Sequence, residues 1–170
     1  MMETLNVPYM IIGGQSVAVH GEPRFTKDVD ITVGVGLERL EDILDVVEEF
    51  QLLPLPEDPK SFAHKTLVLP LKDLKSGFRV DIIFSYTPYE RQAIRRAIEL
   101  GGVKYASVED TIILKMVAGR PRDIEDVKTI LLRNPERDED YILRWLEEFS
   151  EVVGEDLADK YRKIKKEVEG

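Results

Sequence analysis

Cysteine is absent from this 170-residue chain, which removes disulfides, thiolate metal sites and cysteine nucleophiles at once. Histidine occurs only twice, too few for a histidine-rich zinc site. No apolar run reaches the length of about 18 residues that a membrane helix needs. The first residues also lack a basic region followed by a long apolar stretch. The expectation is therefore a cytoplasmic protein with no membrane association. A basic excess is missing too: 24 Lys and Arg stand against 33 Asp and Glu, for a net charge of -9. Proteins that grip duplex nucleic acid through its phosphates carry a basic face, so any nucleic-acid contact here would rest on a local patch.

What is present suits a folded domain. Hydrophobic residues make up 43% of the chain, enough at this length to bury a real core. Pro8–Ile12 reads as a short buried strand that stops at Gly13–Gly14, and Gln15–His20 as one or two helical turns. Val29–Val33 alternates with period two and predicts a second strand. Leu37, Leu40, Ile43, Leu44, Val47 and Phe50 recur at helical spacing. Pro54, Pro56 and Pro59 predict a loop. Lys65–Leu71 and Phe78–Phe84 read as strands, and Pro88–Leu100 as an amphipathic helix stopped by Gly101–Gly102. Ser107 opens a capped helix to Gly119. Pro121 fits the first turn of the next helix, to about Arg133. Asp138–Ser150 and Asp156–Glu167 predict two more. Strands with helices first, then helices alone, indicate an α/β (α+β) domain with a helical C-terminal extension. The expected division is 1–106 and 107–170, packed as a single compact unit.

The chemistry concentrates in a few positions. A strand ending in Gly13–Gly14 with a helix following at once lets backbone N–H groups approach a phosphate at a positive helix end, and Ser16 can add a hydroxyl there. Asp28 and Asp30 lie two apart on a predicted strand, so their carboxylates share a face while Val29, Ile31 and Val33 take the other. Two adjacent carboxylates repel, and a cation relieves that; oxygen ligands of this kind suit magnesium with substrate phosphates. Asp81 interrupts the apolar strand Phe78–Phe84 and needs a partner, because an unpaired buried charge is expensive. Either Arg79 or another basic group neutralises it, or it joins Asp28 and Asp30 at a metal. Arg24 and Lys27 precede the acidic pair as candidate phosphate contacts.

Gly13–Gly14, thirteen residues, Asp28-Val29-Asp30, then Asp81 on a later strand resembles the nucleotidyltransferase superfamily, the polymerase-β-like fold. The stretches GGQSVAVHGEPRFTKDVDI and SVEDTIILKMVAGRPRDIEDV are similar to the AbiEii-type and related minimal nucleotidyltransferases, many of them toxins of prokaryotic toxin–antitoxin or phage-defence pairs. The resemblance spans roughly residues 7–133 and implies a mixed sheet flanked by helices. It also implies a mechanism. Gly13, Gly14 and Ser16 would cradle a nucleoside triphosphate, with Arg24, Lys27 and Lys115 as further nucleotide contacts. Asp28, Asp30 and Asp81 would be the catalytic, magnesium-binding carboxylates. A nucleoside monophosphate would pass to a hydroxyl on RNA, protein or a small molecule. A cognate protein partner is implied by the toxin–antitoxin members. Family members often carry a lysine where Lys115 stands, and an acid near Asp126 belongs to a recurrent motif, so the resemblance implies that Asp126 orients Lys115 or binds substrate; Asp123 reads as a cap or structural pair. His20 reads as a structural histidine. Two alternatives stay open: a catalytically silent binding module of the same fold, and a small-molecule enzyme resembling the antibiotic nucleotidyltransferases. The apolar C-terminal helices also leave a homodimer open.

Overall fold

A computed structural model describes residues 1–23, 25–84 and 87–170. Contacts divide the chain into two compact units, Met1–Gln15 with Phe25–Tyr105, and Ser16–Arg24 with Ala106–Gly170. The division falls inside the first helix, three residues after it begins.

The first unit is built on seven strands: β1 (Tyr9–Ile12), β2 (Asp28–Val33), β3 (Leu52–Pro54), β4 (Val68–Asp73), β5 (Arg79–Phe84), β6 (Ile98–Leu100) and β7 (Val103–Tyr105). They form one mixed sheet in the order β3-β4-β5-β2-β1-β7-β6. β2 pairs antiparallel with β1 and parallel with β5. Because side chains alternate along every strand, the registers fix two faces. Tyr9, Ile11, Val29, Ile31, Val33, Leu69, Leu71, Val80, Ile82 and Phe84 lie on one, all apolar. Leu40, Ile43 and Val47 of α2 (Leu40–Val47) join this face in the core of the unit. Each such side chain, fully buried, contributes roughly 1.5–3 kcal/mol. The opposite face carries Asp28, Asp30, Arg79 and Asp81.

Several elements depart from the sequence expectation. The helix expected over Leu37–Phe50 is a 3-10 turn at Leu37–Arg39 followed by α2, and the chain then leaves through Gln51 with φ +56° into β3. The proline-rich loop contains α3 (Pro59–Thr66), because Asp58 caps it through the Ser61 N–H and Pro59 sits in its first turn, where no N–H is needed. The strand expected from Lys65 therefore begins only at Val68, after Leu67 closes the helix in a left-handed conformation. The helix expected to Leu100 stops with α4 (Pro88–Arg96), and Gly101 and Gly102, at φ +59° and +79°, turn a β6–β7 hairpin.

α1 (Gly13–His20) begins in the first unit and ends in the second. The second unit then adds α5 (Val108–Ala118), α6 (Pro121–Arg133), α7 (Glu139–Val153) and α8 (Leu157–Glu169). Ser107, Asp138 and Asp156 cap α5, α7 and α8 with their side chains, as those residue types do. Ile112, Ile113, Met116, Val127, Ile130, Ile142, Leu146 and Tyr161 fill the interior of this unit. The buried Arg137 guanidinium ties the α6–α7 connection to α8 through Glu169 and the Tyr161 hydroxyl. Among the described residues, no helix is long and apolar enough to cross a membrane.

Candidate active site

Three rows of side chains cross the polar face of the sheet, each row read from the strand register. Lys72, Arg79 and Asp28 form the first, and Pro70, Asp81, Asp30 and Ile12 the second. Val68, Ile83, Thr32 and Met10 form the third. Asp30 and Asp81 are thus direct neighbours on parallel strands, with Asp28 one row away. Like charges opposed across strands are destabilising unless a cation stands between them.

Arg79 meets part of that charge. Its Nε donates to Asp81 Oδ1 at 2.7 Å. The guanidinium is held more firmly protonated than usual, first by that hydrogen bond, which outweighs the opposing effect of burial, with the Asp81, Asp28 and Asp30 charges adding to it. Asp81 is 18% exposed and Arg79 50% exposed, so the acid is fixed in the face while the base reaches over it from the rim.

Gly13 follows β1 directly and brings its backbone against this row. Its φ is +65°, and a Cβ there would lie 2.1 Å from Asp30 Oδ2. Glycine is required twice over: by the left-handed conformation, and by the carboxylate lying against its Cα. At Gly14 a Cβ would approach the Thr26 side chain at 3.1 Å, closer than ordinary contact, so Thr26 would have to give way by a few tenths of an ångström. Thr26 Oγ1 in turn hydrogen-bonds the backbone at Asp28, fixing the entry to β2. Gly13→Ala is expected to lose about 1–3 kcal/mol of stability from backbone strain and to push the Asp30 carboxylate out of its row. Denaturant midpoints for Gly13→Ala and Gly14→Ala should separate clearly, with Gly14→Ala the milder.

The residues expected at the site are divided between the two units. Gly13, Gly14, Lys27, Asp28, Asp30 and Asp81 belong to the first unit. Lys27 is exposed immediately before β2, and its carbonyl accepts the Arg79 N–H. Arg24 lies outside the described residues. Ser16 belongs to the second unit, wholly buried, with its hydroxyl against that of Thr111. Lys115 is also there and is buried. Its ammonium lies 2.7 Å from Asp123 Oδ1 and 2.9 Å from Asp126 Oδ2. Burial works to raise the Asp123 carboxyl, but hydrogen bonds from Arg120 and Lys115 outweigh it and hold the group below the usual carboxylate range. Asp123 also receives the Arg120 N–H, so it caps α6 as well as pairing with Lys115. His20 is buried with Nε2 2.7 Å from the Ala106 carbonyl, and burial lowers its pKa against that bond and the Glu109 charge.

Sequence reasoning did not place Thr26 beside Gly14 or Lys72 on the polar face. The period-two alternation of β4 could have found Lys72, since Leu69 and Leu71 mark the opposite face; nothing local marks Thr26. Among the described residues, no group of three or more His, Cys, Asp or Glu side chains is clustered as a ready-made metal cage.

A family model described as "Nucleotidyl transferase AbiEii toxin, Type IV TA system" matches residues 8–168. Among curated proteins there is no significant match. Solved structures share the fold. The solution structure of the antibiotic-resistance factor ANT(2'')-Ia is 15% identical, with a TM-score of 0.59 over 90% of this chain and 87% of that one. The crystal structure of ANT(2'')-Ia in complex with adenylyl-2''-tobramycin is 16% identical, with a TM-score of 0.56 over 95% and 91%. The Megavirus polyadenylate synthase is 12% identical, with a TM-score of 0.51 over 77% of this chain and 29% of that one.

Proposed function

Because this chain belongs to the AbiEii family of nucleotidyl transferase toxins of type IV toxin–antitoxin systems, we propose that it moves a nucleoside monophosphate from a magnesium-bound nucleoside triphosphate to an acceptor hydroxyl on the polar face of its sheet. The observation that carries this reading is the register that sets Asp30 beside Asp81, with the Gly13 backbone closed down on Asp30.

The donor set fits magnesium. Asp28, Asp30 and Asp81 offer hard carboxylate oxygens on one face, and magnesium is usually held by one or two carboxylates plus substrate phosphates, so a three-carboxylate cage is not needed. When bound, the ion would neutralise charge on the triphosphate and on the leaving pyrophosphate. The protein supplies the rest. Gly13 and Gly14, at the N-terminus of α1, present backbone N–H groups to the phosphates, and Lys27 adds a positive charge at the mouth. With Ser16 turned to Thr111 and Lys115 committed to two carboxylates, these two residues support the fold of the second unit in this reading. The acceptor oxygen attacks the α-phosphorus, and its proton passes to an Asp81 carboxylate oxygen. The bond to pyrophosphate breaks, and pyrophosphate leaves with the electron pair. Holding the reactants in line supplies much of the acceleration in such transfers.

The acceptor hydroxyl belongs to RNA, a protein or a small molecule, and the acidic surface suits a cationic small acceptor as well as a protein one. Toxin-family membership favours a cellular macromolecule and a cognate antitoxin partner. Calorimetric titration of the protein with each of the four nucleoside triphosphates, with and without magnesium, tests the reading. Magnesium-dependent binding of at least one is expected. A well-folded protein that binds none of them in magnesium would overturn it.

A further inference from the structure

Asp81 presents two demands that conflict. Its Oδ1 already accepts a hydrogen bond from Arg79, yet the same carboxylate faces Asp30 in the row assigned above to a cation. We propose that Arg79 is a resident counter-cation, which keeps free divalent ions out and yields Asp81 only when the ion arrives together with a polyphosphate that takes the guanidinium in exchange. This rests on the reading of Asp28, Asp30 and Asp81 as the cation-binding face.

The geometry favours exchange over a permanent pair. Arg79 begins β5, in register with Asp28, and its side chain is half exposed, whereas Asp81 is largely covered. A long side chain rooted at a strand end can swing outward without disturbing the sheet. Lys72 flanks it in the same row on the other side from Asp28, so the space toward Lys72 is basic and draws polyphosphate. A bare divalent ion entering the row would gain carboxylates but would meet the guanidinium at short range, and the displaced arginine would have lost its partner. A triphosphate removes both penalties. It brings negative charge to offset the ion, and it gives the planar guanidinium fork the oxyanion it suits best. The consequence is coupling: the protein binds a free divalent ion weakly and the same ion with a triphosphate tightly.

The test compares manganese affinity with and without nucleotide, read from the free-ion electron paramagnetic resonance signal. The nucleotide probes are the α,β-methylene analogues of the four nucleoside triphosphates, which bind without transferring. In the wild type, the analogue should raise manganese affinity strongly. In Arg79→Ala, manganese alone should bind about tenfold tighter, as removal of a nearby positive charge allows. The gain from adding the analogue should shrink by at least about tenfold. Arg79→Lys keeps the charge and should keep most of the wild-type gap. Circular dichroism confirms that each variant is folded. An Arg79→Ala variant with an unchanged gap overturns the proposal. So does an Arg79→Lys variant that loses the gap as fully as Arg79→Ala, since charge would then not be the agent. A wild type that binds no analogue in manganese instead sinks the proposed function, so the two failures are distinguishable.

Discussion

The double substitution Asp28→Ala/Asp30→Ala should abolish measurable nucleotidyl transfer while leaving the protein at least as stable as the wild type. The loss should be about a thousandfold or more, equivalent to about 4 kcal/mol at 1.36 kcal/mol per tenfold. Both effects come from one cause. Asp28, Asp30 and Asp81 crowd one face of β2 and β5, where Arg79 and Lys72 stand in the row of Asp28 with opposite charge. Taking away two carboxylates removes the positions that would hold magnesium and also relieves repulsion that the apo protein carries. The combination of lost activity and retained or raised stability marks a site kept for function at the expense of stability. Radiolabel transfer from α-labelled triphosphates into cellular RNA and protein measures the first effect, and urea midpoints the second. A fall in stability as large as the fall in activity would show instead that the acids hold the sheet together.

Lys115→Met should act in the opposite sense. Its ammonium is buried between Asp123 and Asp126, and breaking a buried ion pair by removing one partner costs about 3–5 kcal/mol, a large part of a domain's roughly 5–15 kcal/mol. The effect should depend on pH. Asp123 has its folded pKa depressed, so its pairing contributes stability above the unfolded carboxyl value of about 3.9. That contribution is lost as pH falls through the lower folded value. Without the ammonium, Asp123 keeps the Arg120 hydrogen bonds but loses the second group that holds its carboxyl ionised, so the cost of the substitution should shrink as pH falls from 7 toward 4. Urea denaturation across that range measures it, and Lys115→Met/Asp126→Asn should regain part of the loss at neutral pH. A stability that does not move, with nucleotide affinity lost, would instead place Lys115 at the substrate.

Much of this was legible in the residues themselves, because the informative patterns are local. Alternation in Val29–Val33 and Phe78–Phe84 gave the strands and correctly put Asp28, Asp30 and Asp81 on polar faces. Ser107 and Pro121 marked helix starts through their own capping chemistry. What stayed hidden was non-local or ambiguous. Nothing in the chain states that β5 pairs with β2 so that Asp81 lands opposite Asp30 and not opposite its neighbour. The sequence left open whether Arg79, another basic group or a metal meets Asp81, and the structure shows Arg79 donating to it. Ser16 looked available because its partner, Thr111, is distant in sequence. Prolines 54, 56 and 59 were breakers only in part, since Pro59 with Asp58 before it starts a helix. Ile98 and Leu100 continued a helical pattern by coincidence, and Gly101–Gly102 proved to be the turn of a hairpin.

The parallel pairing of β2 with β5 also governs when the carboxylate row comes into being. The carboxylate row joins strands about 50 residues apart in sequence, and such long-range pairings form late because closing the loop comes before any reward. A chain emerging during synthesis holds Asp28 and Asp30 long before Asp81 exists to face them. A chain cleaved between β2 and β5 keeps every residue of the row, yet has no covalent connection to enforce its register. The carboxylate row is therefore a property of the finished fold alone: a newborn or unfolded molecule carries its residues without the row they form.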